Sequence, residues 1–183
     1  MTCIVGIIDK ETDKVFIGGD SAGVGGGKIT IRKDKKVFIR DNFIIGYTSS
    51  FRMGQLLMCD DRFKLREKNK DEDDFHYLVN VFIPSIQELF KIGGYLTKKD
   101  EVIEGGTFLL GYNKRLYTIY CDFQIAETND NYMAVGSGEG FALGSLFSSK
   151  GTELTTSQRI TKALEAATYF ATGVAGPFNI LSK

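Results

Sequence analysis

The chain has 183 residues, of which 43% are hydrophobic, and this is enough for a single domain, 1–183, with a buried core. Lys plus Arg and Asp plus Glu both number 23, so the net charge provides no general attraction to nucleic acid or to an anionic membrane. No apolar stretch reaches the roughly 18 residues of a membrane span, no signal sequence is recognisable, and a cytoplasmic protein is expected. The widely spaced Cys3, Cys59 and Cys121 favour reduced thiols over disulfides or a metal site.

The first part of the chain is predicted to form strands. Five segments are short, rich in β-branched and aromatic residues and bounded by turn residues: TCIVGII, KVFIGGD, KITIRK, KVFIR and NFIIGYT. After Ser50 the apolar spacing becomes helical and predicts a helix over 51–68. Its inward positions are expected to be Phe51, Leu56, Leu57 and Phe63.

A second helix is predicted to begin at the acidic run 71–74, where negative charge favours a helix N-terminus. Pro84 lies inside this helix and is expected to kink it, and Gly93 with Gly94 is expected to end it. Its apolar face is predicted to contain Phe75, Leu78, Val79, Phe82, Ile86, Leu89 and Phe90.

The second half returns to strands, with GGTFLLGY and RLYTIYCD joined at Asn113 and Lys114, followed by NYMAVG. Two more helices are predicted over 137–150 and 155–172, the latter capped by Thr155 or Thr156, and FNILS forms a last strand. This order predicts an α+β fold, a four-layer αββα sandwich of two antiparallel sheets covered by helix pairs.

Two glycine-rich segments invite nucleotide-binding interpretations. GVGGGK, residues 23–28, lacks the glycine and hydroxyl spacing of a phosphate loop, and GSGEG, residues 136–140, lacks the third glycine of a dinucleotide fingerprint. Structural turns are therefore predicted at both, and no cofactor is expected. The basic segment KITIRKDKK is more typical of a solvated strand edge than of a nucleic-acid patch.

The sequence contains one histidine, His76, with no acid and hydroxyl pattern around it, so most serine–histidine and zinc chemistries are excluded and no metal is expected. A hydrolase then needs another base. The α-amino group, whose ordinary pKa is about 8, can act on the hydroxyl of an N-terminal threonine. Thr2 would be such a residue after removal of Met1, with Asp20, Lys36 and Gly46 available as acid, cation and main-chain donor.

Five segments resemble, in order and nearly in spacing, the proteasome β-subunit and HslV-type peptidase family of N-terminal nucleophile hydrolases: TCIVGIID, FIGGDSAG, KDKKVF, FIIGYTSS and AVGSGEGFALG. The resemblance covers nearly the whole chain. It implies a threonine-type endopeptidase in which the Thr2 hydroxyl attacks a peptide carbonyl and the freed amine is the general base. It also implies roles for Asp20 as the acid, Lys36 as the catalytic lysine, Gly46 as the oxyanion donor and Ser137 as support for the amine.

The resemblance places Ile44 in the specificity pocket and Val24 and Thr48 where a substrate main chain would pair. Two departures stand out. ATGVAGPF, residues 171–178, contains no acid and only Thr172 as a hydroxyl, and SSF, residues 49–51, replaces a turn that contains glycine.

Members of this family assemble into rings that enclose their sites, usually fed by an ATPase unfoldase. Self-association into rings, a protein or peptide substrate and possible dependence on an unfoldase are therefore expected, with removal of Met1 as the maturation step. Two alternatives stay open: a non-catalytic ring or scaffold subunit of the same fold, and an amidase acting on a small molecule.

Overall fold

The computed structural model describes residues 1–99 and 102–183. Its strands are β1 (Ile4–Asp9), β2 (Lys14–Gly19), β3 (Ala22–Gly25), β4 (Lys28–Ile31), β5 (Val37–Arg40), β6 (Phe43–Tyr47), β7 (Thr97–Lys99), β8 (Val102–Glu104), β9 (Phe108–Tyr112), β10 (Arg115–Ile119), β11 (Ile125–Glu127), β12 (Tyr132–Val135) and β13 (Asn179–Ser182). Its helices are α1 (Phe51–Cys59), α2 (Asp74–Tyr77), α3 (Ile83–Ile92), α4 (Glu139–Ser148) and α5 (Thr156–Phe170), and a π-helical turn, Leu78–Phe82, joins α2 to α3. None of the helices in the described ranges is long and apolar enough to cross a membrane.

Two antiparallel sheets form the centre of the molecule. One has the strand order β12-β1-β2-β13 and the other has the order β11-β10-β9-β6-β5. The strand pairs β3-β4 and β7-β8 form separate hairpins. The alternation of apolar residues that predicts strands therefore corresponds to two sheets, and the α+β class with antiparallel sheets is confirmed.

Three apolar clusters hold these elements together. One joins the two sheets through residues such as Ile4, Ile17 and Leu109. A second joins the five-stranded sheet to α1 and α3, and a third joins the four-stranded sheet to α4 and α5. The strands β1, β2, β5 and β6, which lead into the candidate site, are thus each anchored on a buried face.

The first helix is shorter than the sequence predicts. α1 ends at Cys59 rather than residue 68, because the Arg40 guanidinium donates to the main-chain oxygens of Leu57, Asp60 and Phe63 at 2.8, 2.8 and 3.2 Å. These bonds satisfy carbonyl groups that a longer helix would use internally. Phe63 is buried as predicted, but it reaches the core from an irregular segment.

The second predicted helix is interrupted by the π-helical turn, which ends two residues before Pro84, a residue with no N–H to donate. The wider turn changes the angular spacing of the apolar residues. Phe75 and Val79 are each 41% exposed, so their predicted places on the buried face are wrong, whereas the other five predicted positions are buried.

Turn and cap predictions are confirmed at several places. Asn113 and Lys114 join β9 to β10 with positive φ angles of 47° and 64°, as a two-residue hairpin requires. Thr155 caps α5 in a capping box with Gln158. The strands β7, β8 and β11 have only three residues each and are not predicted from the sequence. The turn predicted over residues 23–28 is limited to Gly26 and Gly27, because residues 23–25 pair with β4 as part of β3.

Candidate active site

Three buried polar residues meet at one end of the two sheets. Thr2 precedes β1, Asp20 follows β2 and Lys36 precedes β5, and they are 5%, 1% and 2% exposed. Lys36 Nζ donates to Thr2 Oγ1 at 2.9 Å and to Asp20 Oδ1 at 2.8 Å. The structure therefore brings together the hydroxyl, the cation and the acid that the sequence singles out.

The Asp20 carboxylate is fixed by main-chain donors in addition to the lysine. Its Oδ1 accepts the N–H of Cys3 at 3.1 Å, and its Oδ2 accepts those of Ala22 at 2.9 Å and Ala175 at 3.4 Å. The position of the Asp20 carboxylate beside Lys36 is thus fixed from several sides.

Burial has opposite consequences for the two titratable side chains beside Asp20. It lowers the pKa of Lys36 below its ordinary value of 10.5, an effect that the charge of Asp20 and its hydrogen bond oppose. Burial also raises the pKa of the Cys3 thiol to about 12, so this neighbouring sulfur is held in its neutral form. Besides Asp20, the side-chain group that hydrogen-bonds to Lys36 is the Thr2 hydroxyl and not the Cys3 thiol.

Ser137 reaches Thr2 from the strand–helix turn between β12 and α4. The Thr2 N–H donates to Ser137 Oγ at 3.2 Å, and Thr2 Oγ1 donates to the carbonyl oxygen of Met1. Gly136 has a φ of +102°, and a Cβ there would lie 2.3 Å from the Thr2 carbonyl oxygen. GSGEG is thus a structural turn, as predicted, and it allows the close approach of residue 137 to residue 2.

The structure does not bring Gly46 to this group. Gly46 lies in β6 between β5 and β9, and a Cβ there would come within 2.5 Å of Ile4 in the core between the sheets. Successive N–H groups of a strand point to opposite neighbours. Because Thr48 N–H donates to Thr107 O at 3.0 Å, on the β9 side, the N–H of Gly46 two residues earlier also faces β9.

The turn that follows β6 offers a different main-chain donor. Ser49 has a positive φ of 63°, its side chain accepts the Thr107 N–H at 3.1 Å, and no hydrogen bond among the described residues uses its own N–H. Positive φ is uncommon outside glycine. The signal in the sequence is the replacement of a glycine turn by SSF, which does not by itself identify the donor.

A small pocket of about 90 Å³ opens beside Thr2 and Lys36. Val24 and Thr48 line it, as their predicted contact with substrate requires. Ile44 does not line it, because this side chain is 1% exposed and packs in the cluster between the sheets. Sequence reasoning missed the contribution of Tyr47, the residue that follows Gly46 in β6.

Two further expectations concern groups around the site. Among the described residues, no cluster of three or more His, Cys, Asp or Glu side chains is arranged to hold a metal ion. His76 lies on the helix surface, where its side chain is 66% exposed and its Nδ1 lies 3.5 Å from Glu72. The segment 171–178 contributes the N–H of Ala175 to Asp20, although it carries no acid of its own.

The comparisons with known proteins rest on structure. No protein-family model and no curated protein matches the sequence. BPH from Thiobacillus denitrificans, in complex with epoxomicin, has a TM-score of 0.81 and 15% identity, with 100% of this chain and 98% of that chain covered. Eukaryotic HslV from Trypanosoma brucei has a TM-score of 0.69 and 18% identity, covering 99% of this chain and 98% of that chain.

An Anbu (Gly-1) mutant from Hyphomicrobium sp. strain MC1 has a TM-score of 0.68 and 14% identity, with 98% of this chain and 80% of that chain covered. These matches extend over the complete arrangement of sheets and helices rather than over one motif. The chain therefore has the fold of the HslV- and proteasome-type peptidases, as the resemblance in its sequence predicts.

Proposed function

We propose that this chain is a threonine-type peptidase whose nucleophile is Thr2 after cleavage of the Met1–Thr2 bond. The observation that carries the proposal is the buried chain of contacts from Thr2 Oγ1 to Lys36 Nζ at 2.9 Å and on to Asp20 Oδ1 at 2.8 Å. A fixed cation beside a hydroxyl stabilises the negative charge that develops on its oxygen. Few structural roles require a lysine that is 2% exposed.

The reaction follows from these contacts. The freed amine of Thr2 takes the hydroxyl proton, directly or through a water, while Oγ1 attacks the substrate carbonyl. The C–N bond of the substrate then breaks, the leaving amine receives a proton, and an ester on Thr2 remains. Water attacks this ester with the same amine as base, which releases the acid and restores the hydroxyl.

In this proposal Ser137 and Ser49 assist at two different atoms. Ser137 Oγ already contacts the Thr2 nitrogen at 3.2 Å and orients the freed amine. The Ser49 N–H, on the turn that borders the pocket, replaces Gly46 as donor to the oxyanion, because the Gly46 N–H faces β9.

The fold supports wider proposals. We place the helices outside both sheets in αββα order, since each sheet shares one apolar cluster with helices and another with the other sheet. We also propose a cytoplasmic protein that self-associates into rings, acts on proteins or peptides and works with an ATPase unfoldase. Sedimentation of the purified protein tests the rings, because a monomer at working concentration contradicts an enclosed chamber.

The catalytic proposal is tested on protein prepared behind a cleavable tag so that Thr2 is the first residue. An electrophile selective for N-terminal threonine is expected to label Thr2, as located by mass spectrometry. Epoxomicin, which the BPH structure contains, is expected to protect it. Thr2→Ala and Lys36→Ala should abolish labelling, whereas Lys114→Ala, at an exposed lysine with an aspartate 2.7 Å away, should retain it.

The result that overturns the proposal is a folded protein with a free Thr2 amine that takes no label. Such a protein would have the properties of the non-catalytic scaffold subunit. Labelling of Thr2 together with hydrolysis of small amides, but of no peptide, would instead favour the amidase.

A further inference from the structure

We propose that Phe51 closes the pocket beside Thr2, so that the residue whose carbonyl is attacked must have a short, uncharged side chain. The inference rests on the proposed function and adds to it the class of substrate. Phe51 is the first residue of α1, and its ring lies 5.6 Å from Lys36 Nζ, which itself bonds to the nucleophile.

The position of the pocket relates it to one part of the substrate. A side chain is joined to its carbonyl carbon through a single Cα, so it must enter space next to the attacking oxygen. With Met1 in place, the pocket that contains Thr2 and Lys36 has about 90 Å³, which is less than the roughly 150 Å³ of a cavity that binds benzene. This is room for a few heavy atoms and not for an aromatic ring.

Met1 lines the same pocket. Its removal frees space where the main chain of a substrate must approach Thr2. After that removal, Phe51 and Tyr47 are the bulky apolar residues of the remaining lining.

The Phe51 ring is held from several sides. The guanidinium carbon of Arg32 lies 3.7 Å from the ring centroid, and Tyr47 packs edge-on with its ring centroid at 6.0 Å. Arg32 is itself fixed by Asp34, to which its Nε and Nη2 donate at 2.8 and 2.7 Å. A side chain restrained in this way cannot move aside at low cost for a larger group.

The backbone of β3 is shaped to accept the stacked pair. A Cβ at Gly23 would lie 2.6 Å from Arg32 Cδ and 3.6 Å from Phe51 Cε2. A side chain at this position would therefore displace the arginine from the ring. The segment GVGGGK thus has a packing role that its rejected phosphate-loop interpretation does not provide.

The charged residues around the pocket favour a substrate whose side chain at this position is uncharged. Lys36 and Arg32 each have an aspartate partner, at 2.8 and 2.7 Å, so neither cation is left to receive an acid. No carboxylate occurs among the described lining residues, so a basic side chain would be buried without a partner.

The experiment compares peptides that differ only in having Ala, Leu or Phe before the cleaved bond. The wild type is expected to cleave the Ala peptide best, as measured by kcat/KM. Phe51→Ala should raise the ratio of kcat/KM for the Phe peptide to that for the Ala peptide by about 10–100-fold, and Phe51→Leu by less. Arg32→Ala, which releases the ring without removing it, should give an intermediate change.

The matched control is Phe147→Ala, which makes the same change at a 68% exposed position on α4 outside the pocket and should leave the ratio unchanged. Covalent labelling of Thr2 measures the active fraction of each variant, so a loss of folding does not alter the ratio. A wild type that takes no label contradicts the proposed function itself. A labelled wild type that prefers the Phe peptide, or an unchanged ratio in both Phe51 variants, overturns the inference alone.

Discussion

Two lysine–aspartate ion pairs in this molecule have nearly equal nitrogen–oxygen distances, but one is buried and the other is exposed to solvent. Lys36 Nζ lies 2.8 Å from Asp20, and the two side chains are 1% and 0% exposed. Lys114 Nζ lies 2.7 Å from Asp13, on the loops beyond the sheets, with 65% and 67% exposure. Distance does not distinguish the pairs, so their difference must come from solvent.

An exposed pair gains little because water already stabilises each charge and long side chains lose conformational entropy on pairing. Inside the protein each charge depends on the groups that replace water. Asp20 has the lysine and three main-chain N–H groups, and Lys36 has the aspartate and Thr2 Oγ1. The buried pair therefore contacts the candidate nucleophile, whereas the exposed pair lies outside the candidate site.

The largest expected effect comes from Asp20→Ala, which leaves the Lys36 ammonium without its carboxylate partner. We expect a loss of about 3–5 kcal/mol in the free energy of unfolding, together with loss of Thr2 labelling. Asp13→Asn, which removes the charge of the exposed pair and keeps a residue type that tolerates the positive φ of 56° there, should cost no more than about 1 kcal/mol. Urea unfolding of both variants measures the difference, and equal losses would show that burial does not separate the pairs.

A smaller effect on stability is expected when a buried glycine and an exposed glycine are each replaced by alanine. Gly46→Ala would place a Cβ 2.5 Å from Ile4 and 2.6 Å from Ile17, so we expect overpacking to cost about 1–3 kcal/mol. Gly144 is exposed in the middle of α4 with no atom within 4 Å of a new Cβ, and Gly144→Ala should stabilise by about 1 kcal/mol. Thermal unfolding of the two variants should therefore shift in opposite directions, and shifts of the same sign would contradict the packing argument.

The third expected effect is a dependence of the rate of hydrolysis on pH. Where one group must hold or lose a proton, the rate changes about tenfold, or about 1.4 kcal/mol, for each pH unit beyond the pKa of that group. Activity should rise as the Thr2 amine, with an ordinary pKa of about 8, loses its proton and becomes a base. It should fall again as Lys36 loses its charge, and because burial lowers the pKa of Lys36, this decline should be centred below pH 10.5.

The pH dependence of kcat/KM on the Ala peptide checks this expectation. Lys114→Ala should change neither the rise nor the fall of the pH profile, because Lys114 belongs to the exposed ion pair. A rate that stays level up to pH 10.5 would remove Lys36 from the charged role assigned to it.

Much of the fold is predictable because its strands are local patterns with buried faces. The wrong predictions occur where a residue outside the segment determines its local structure. Arg40 binds the carbonyl oxygen of Leu57 in α1 and those of Asp60 and Phe63 beyond its end, and a π-helical turn before Pro84 interrupts the helix that contains the exposed Phe75 and Val79. Neither effect leaves a periodic signal in the segment that it changes.

The same distinction applies to the candidate site. Thr2, Asp20, Lys36 and Ser137 are side chains placed at element ends, and the structure brings them within hydrogen-bond distance of one another or of the Thr2 main chain. The role predicted for Gly46 depends on its main-chain N–H, and the direction of this group is set by the partner strand, which the local sequence does not reveal.

One contact described above links this site to the timing of synthesis. Asp20 Oδ2 accepts the N–H of Ala175, and Ser21 N–H donates to the Ala175 oxygen at 2.8 Å, so residues from the two ends of the chain complete one carboxylate environment. A growing polypeptide cannot make these bonds until residue 175 has left the ribosome. The hydrogen bonds that surround the Asp20 carboxylate are therefore complete only after residue 175 has been synthesised and has folded onto the first part of the chain.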